Sequence, residues 1–140
     1  MKGNELRIGN LIKGIYHDYD DGIDEEIENE TICKVVTLDV SGIGDYPIYV
    51  YSDEDIEHFS EFKPIPLTEE WLLKFGFGKT EWDNFNSYRL MIGNNDYTIV
   101  LYSDGNCEVG DIITCKIEYV HQLQNLYFAL TGEELKQQEQ

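Results

Sequence analysis

The chain is 140 residues long, and its 28 Asp and Glu against 10 Lys and Arg give a formal net charge of −18. That length fits one compact domain or two very small ones, and 41% hydrophobic with 13% aromatic residues is too much for a disordered acidic tail. Phosphates and such a surface repel one another, which disfavours direct binding to a nucleic-acid backbone. Apolar runs of about half a dozen residues are too short for a transmembrane helix.

The first residues, Met1-Lys2-Gly3-Asn4-Glu5-Leu6-Arg7, lack the apolar stretch of a signal peptide, so the expectation is a soluble, cytoplasmic protein that does not engage a membrane. Charge is unevenly spread. Residues 14–62 hold 15 acids and a single base, Lys34, whereas 63–140 hold 12 acids and six bases. The densest run is Asp18, Asp20, Asp21, Asp24, Glu25, Glu26 and Glu28, and a second group is Asp53, Glu54, Asp55 and Glu57. Like charges this close repel, which is costly unless a cation or a basic partner compensates.

In chain order, Asn10–Tyr16 and Thr31–Val40 are strand-like, rich in β-branched residues and Tyr. The acidic run is expected to join them as a long loop. Ser41-Gly42-Ile43-Gly44 suits a hairpin turn and lacks the Lys and helix of a phosphate loop. Tyr46–Tyr51 alternates as a strand with Pro47 at its start or edge, and a short strand around Ile56–Phe62 completes a small curled sheet. Two prolines, Pro64 and Pro66, then bar a helix before Leu67. Thr68 is the expected N-cap, Glu69 and Glu70 suit the first turn, and Gly76 terminates the helix. Trp71, Phe75, Phe77, Trp82 and Phe85 are read as core joining this helix to a sheet, with a ligand groove as the alternative for the last three.

Ser87–Ile92 and Tyr97–Tyr102 flank Gly93-Asn94-Asn95-Asp96, a hairpin signal. A third strand, Cys107–Ile117, bends at Gly110. Tyr119, Leu123, Leu126, Tyr127 and Leu130 recur at helical spacing up to Gly132, and the polar end from Glu133 is expected to fray. On that helix His121, Gln122, Gln124 and Asn125 form the less apolar face, a place for a ligand or partner to dock, with His121 itself expected to be solvated or locally bonded rather than catalytic.

Chemistry finds little support in the residues. Cys33, Cys107 and Cys115 lack C-x-x-C spacing, so a disulfide framework and a structural zinc site are not expected, and strand-like surroundings make them small buried hydrophobes. Near His17 the acids miss the EF-hand pattern, with Gly22 at position 5 and Asn29 at position 12. His17, His58 and His121 are the only histidines, and none stands beside a nucleophile motif. Carboxylates on a hydrated loop lack the burial that separates acid from base roles. No catalytic residue, metal or cofactor is therefore expected.

Two segments carry a resemblance. They are Pro64-Ile65-Pro66-Leu67-Thr68-Glu69-Glu70-Trp71-Leu72-Leu73-Lys74-Phe75-Gly76-Phe77 and Tyr119-Val120-His121-Gln122-Leu123-Gln124-Asn125-Leu126-Tyr127-Phe128-Ala129-Leu130-Thr131-Gly132-Glu133-Glu134-Leu135. Together, about 31 of the 140 residues, they resemble a family of small uncharacterised proteins encoded by bacteriophages and prophages. The resemblance implies no enzyme activity and no site residues. It implies a mobile-element origin, which favours a protein acting on host machinery.

The expectation is an α+β protein: a small curled antiparallel β unit (1–62), then a unit of helix, β-meander and C-terminal helix (63–140). Its expected function is non-catalytic. The acidic residues named above engage a basic host protein surface, as in an anti-CRISPR-like inhibitor or nucleic-acid mimic. The alternatives are a small-molecule or metal-binding protein using the aromatic groove, His121 or the His17 segment, and a phage structural or assembly protein.

Overall fold

The computed structural model describes residues 5–20, 22, 25–39, 49–51, 58–59, 61–93 and 97–138, with 16–20, 25–27, 37–39, 49–51, 58–59, 61 and 113–114 described through their backbone. It is an α+β fold, mostly β, whose chain divides into two compact units, Met1–Ile65 and Pro66–Gln140. The division falls inside Pro64-Ile65-Pro66, where two fixed φ angles impose an extended path. Among the described residues no helix is long and apolar enough to cross a membrane.

In the first unit, β1 (Leu11–Asp20) and β2 (Glu25–Lys34) pair antiparallel along their whole length, from Leu11 opposite Lys34 to Asp20 opposite Glu25. β6 (Glu61–Lys63) adds to the other side of β1, giving the order β2-β1-β6. The expected long acidic loop is therefore wrong: Asp18, Asp20, Glu25, Glu26 and Glu28 are strand residues. Ile15, Tyr16 and Tyr19 on β1 and Ile27, Thr31 and Ile32 on β2 supply β propensity that outweighs the low propensity of the interleaved acids. Between the two strands the sequence reads Asp21-Gly22, a short-range hairpin signal. The apolar anchor is at the other end. Ile12 and Cys33 are directly opposite and buried, and they cluster with buried Leu6 and Val35 and with half-buried Phe62. Gly9 N–H donates to Val35 O (2.7 Å) and Val35 N–H to Asn10 O (2.9 Å), prolonging the pairing beyond β1.

A second small sheet of the order β3-β4-β5 comprises β3 (Thr37–Asp39), β4 (Tyr49–Tyr51) and β5 (His58–Phe59). The single strand expected at 56–62 is thus two strands serving two sheets, β5 beside β4 and β6 beside β1. The turn expected at 41–44 lies outside the described residues.

The second unit opens with α1 (Glu69–Lys74), capped by Thr68 in extended geometry but without a side-chain capping bond. Its exit is a Schellman arrangement: Phe77 N–H donates to Leu72 O, Gly76 N–H donates to Leu73 O (both 3.0 Å), and Gly76 takes φ +86°. Phe77 and Leu72, buried together, are the apolar pair that accompanies this motif. A five-stranded antiparallel meander follows in the order β11-β10-β9-β8-β7: β7 (Gly78–Glu81), β8 (Asn86–Ile92), β9 (Tyr97–Tyr102), β10 (Asn106–Val109) and β11 (Ile112–Lys116). The single bent strand expected at 107–117 is two strands, because Gly110 (φ +56°) and Asp111 (φ +67°) make a tight reversal with both φ positive.

Tyr88, Leu90 and Ile92 alternate on one face of β8, and their partners Leu101, Ile99 and Tyr97 share it. Tyr88 reaches the first turn of α1 through its hydroxyl, which donates to Glu69 Oε2 (2.6 Å). α2 (Val120–Thr131) begins where Glu118 and Tyr119 N–H both donate to Gln122 Oε1 (2.9 and 3.1 Å), and ends at Gly132 with φ +72°. Its buried positions are Val120, His121, Leu123 and Gln124, whereas Phe128 and Leu130 are exposed. Of the two expectations for His121, the solvated one is corrected: the helix buries its first turns whatever their polarity, and His121 stacks on Tyr119 with centroids 5.9 Å apart. The expected fraying is also corrected across 133–138. Leu135 is buried, and Gln138 N–H donates to Lys74 O (2.6 Å).

Candidate functional site

The acidic hairpin is compensated near its anchored end. Lys13 and Lys63 are opposite in register. Glu30 lies within reach of both, at 3.1 Å from Lys13 Nζ and 3.6 Å from Lys63 Nζ, and Lys63 also meets Glu28 at 3.5 Å. Lys13 beside it, with a lesser contribution from Lys63, holds the Glu30 carboxyl below the usual carboxylate range. Glu28, one of the expected partner-binding residues, is therefore already in an ion pair. Asp18, Asp20, Glu25 and Glu26 occupy the distal half of the ladder, with Asp20 directly opposite Glu25 and Tyr19 opposite Glu26. Like charges at opposite positions, as at Asp20 and Glu25, oppose pairing. Asp21, Asp24, Asp53, Glu54, Asp55 and Glu57 lie outside the described residues.

His17 pairs in register with Glu28, and Asp18 and Asp20 continue the same regular strand, which is not the wrapped backbone of an EF-hand loop. Among the described residues no group of three His, Cys, Asp or Glu is placed to hold a metal. Cys33 and Cys107 are buried and Cys115 is exposed, so the expectation of three buried thiols holds for two.

Among the described residues of the second unit, surface features lie on both faces of the meander. One is a cleft of about 530 Å³ between Phe75, Leu90 and Tyr127 and the tail at 133–138, next to a hollow of about 410 Å³ by Tyr97 and Leu130. The other lies on the opposite face of the meander. Phe75 and Phe77 are core, as expected, but Trp82 and Phe85 are 54% and 45% exposed, which overturns the core reading for that pair. They bracket the β7–β8 turn, closed by Trp82 N–H to Phe85 O (2.9 Å). Their rings stack at 5.8 Å and 23°, and Phe85 leans on Tyr102 at 5.9 Å. The indole N–H donates to the buried Ser87 hydroxyl (3.2 Å), and the Tyr102 hydroxyl donates to Glu108 Oε2 (3.1 Å). Burial, reinforced by Glu108, raises the Tyr102 phenol above its ordinary value.

A carboxylate near α1 is structural in the same sense. The Tyr88 hydroxyl and then Lys79 hold Glu69 below the usual range, and Lys79 bridges Glu69 (3.1 Å) and Glu81 (3.0 Å). No pairing of a nucleophile with a base emerges among these groups. No family model matches the chain, and neither a curated protein nor a solved structure matches it.

Proposed function

We propose that the chain is a non-catalytic binding protein whose acidic hairpin engages a basic protein surface. The observation that carries this reading is the β1–β2 ladder: ten-residue strands that mount Asp18, Asp20, Glu25 and Glu26 on a regular scaffold anchored by Ile12 and Cys33. Carboxylates at strand spacing on a fixed backbone pair with Lys and Arg at less entropic cost than the same charges on a flexible chain. The resemblance to phage and prophage proteins makes the proposed partner a host protein that handles nucleic acid, its phosphate-binding groove occupied by the hairpin. Such a partner already presents clustered cations, and replacing its bound counterions by carboxylates releases them to solvent.

The test is competition. Proteins retained from host lysate at low salt and released at high salt are purified, and their binding to their own DNA or RNA is measured with and without the chain. Loss of that binding with the native chain, and its retention with Asp18→Lys, Asp20→Lys, Glu25→Lys and Glu26→Lys combined, is expected. Simultaneous binding of chain and nucleic acid to the partner would overturn the reading. The four positions spare Glu28 and its Lys63 pair, and leave like charges where like charges already stood.

A further inference from the structure

We infer that Trp82, Phe85 and Tyr102 form a receptor for an arginine side chain of a protein partner, on the face of the meander opposite Tyr88, Leu90 and Ile92. This surface belongs to the second unit alone and does not depend on the hairpin reading.

Two large aromatics half in water at a four-residue turn are unfavourable for solubility and are not required to close the turn, which the Trp82–Phe85 backbone bond does. Their positions are nonetheless fixed. Ser87 holds the indole N–H, Phe85 stacks on Trp82, and Tyr102 supports Phe85 while Glu108 holds its hydroxyl. Side chains fixed before binding lose little freedom on binding. Trp and Tyr are also the residue types that dominate binding energy at protein interfaces.

Charge selects the partner's chemistry. Glu108, Arg89 and Asp104 all act on the Tyr102 phenol, and Asp83 follows Trp82 in the turn. Lys79 and Glu81 pair with each other in register with Tyr88 and Asn86, on the other face, which leaves Asp83, Asp104 and Glu108 against Arg89. An exposed indole in surroundings of net negative charge suits a guanidinium, whose plane stacks on the ring while its N–H fork meets a carboxylate. A lysine ammonium gains less, since it has no plane to stack. Nucleic-acid bases also stack on aromatics, but their phosphates would meet a net negative rim.

The experiment uses the full chain with Trp71→Phe, which leaves Trp82 as the sole indole. A short alternating Gly-Arg peptide is titrated while Trp82 emission is followed. The expected result is a saturable emission change, about tenfold weaker with the Gly-Lys analogue and about tenfold weaker again in Phe85→Ala. Circular dichroism on each variant verifies folding, and Tyr102→Phe gives a second, milder variant expected to bind less tightly. The four-residue hairpin reversal separates the two readings: it leaves the Trp82 response intact if the receptor is here. Emission unmoved by the Gly-Arg peptide, equal affinity for the Gly-Lys peptide, or a response to oligo(dT) or cellohexaose in place of the peptide would each overturn the inference.

Discussion

Ile12→Ala separates a scaffolded acidic surface from a mere polyanion, because it leaves the charge at −18. Ile12 is fully buried, opposite Cys33 and clustered with Leu6 and Val35. The substitution removes three carbons, or about 2.4 kcal/mol at about 0.8 kcal/mol per buried methylene. The remaining cavity raises the expected cost to about 3–4 kcal/mol. A unit spanning Met1–Ile65 has a stability of roughly 3–10 kcal/mol on ordinary per-residue values, so the loss is a large fraction of the whole. Hydrogen exchange followed by mass spectrometry reads it by segment: protection should fall across 11–34 and persist across 86–102. Binding to the basic partner should weaken in step with lost protection. A variant that exchanges like the native chain, or one that loses protection in 11–34 yet binds equally well, would refute the reasoning.

Gly132→Ala places a Cβ where nothing lies within 4 Å, so its whole effect is backbone strain at φ +72°. The expected loss is about 1–2 kcal/mol by denaturant titration, and Gly132→Asn should lose less. Tyr88 has its phenol raised above the ordinary 10.0, first by burial and then by Glu69. A raised group keeps its contribution below the unfolded value and loses it as pH climbs through the folded one. Tm should therefore fall as pH rises above about 10, and Tyr88→Phe should make that decline shallower while lowering Tm at neutral pH. Equal alkaline slopes in the two proteins would contradict this account of Tyr88.

The fold class and the second unit's helices were legible because their signals are local. Thr68 and Gly76 bracket α1, Gly132 ends α2, and 93–96 separates β8 from β9. The acidic hairpin was not legible by composition, since Asp and Glu are poor strand formers and their density outweighed the Tyr and Ile between them. Two turn signals, Asp21-Gly22 and Gly110-Asp111, carried the missing information. Helical spacing alone placed Leu130 on the apolar face and His121 on the polar one. Burial follows what the rest of the unit covers: it takes in His121 and leaves Leu130 half exposed. Trp82 and Phe85 were assigned to the core by residue type, and no sequence feature distinguishes a displayed aromatic from a packed one.

The most direct test of the acidic-hairpin reading is the salt dependence of affinity for the purified partner, native chain against the four-residue reversal at Asp18, Asp20, Glu25 and Glu26. Reversal changes the net charge by eight, from −18 to −10. A steep fall of log affinity with log salt for the native chain, flattened together with a large loss of low-salt affinity in the reversed one, is the result predicted. Superimposable curves for the two proteins would contradict it.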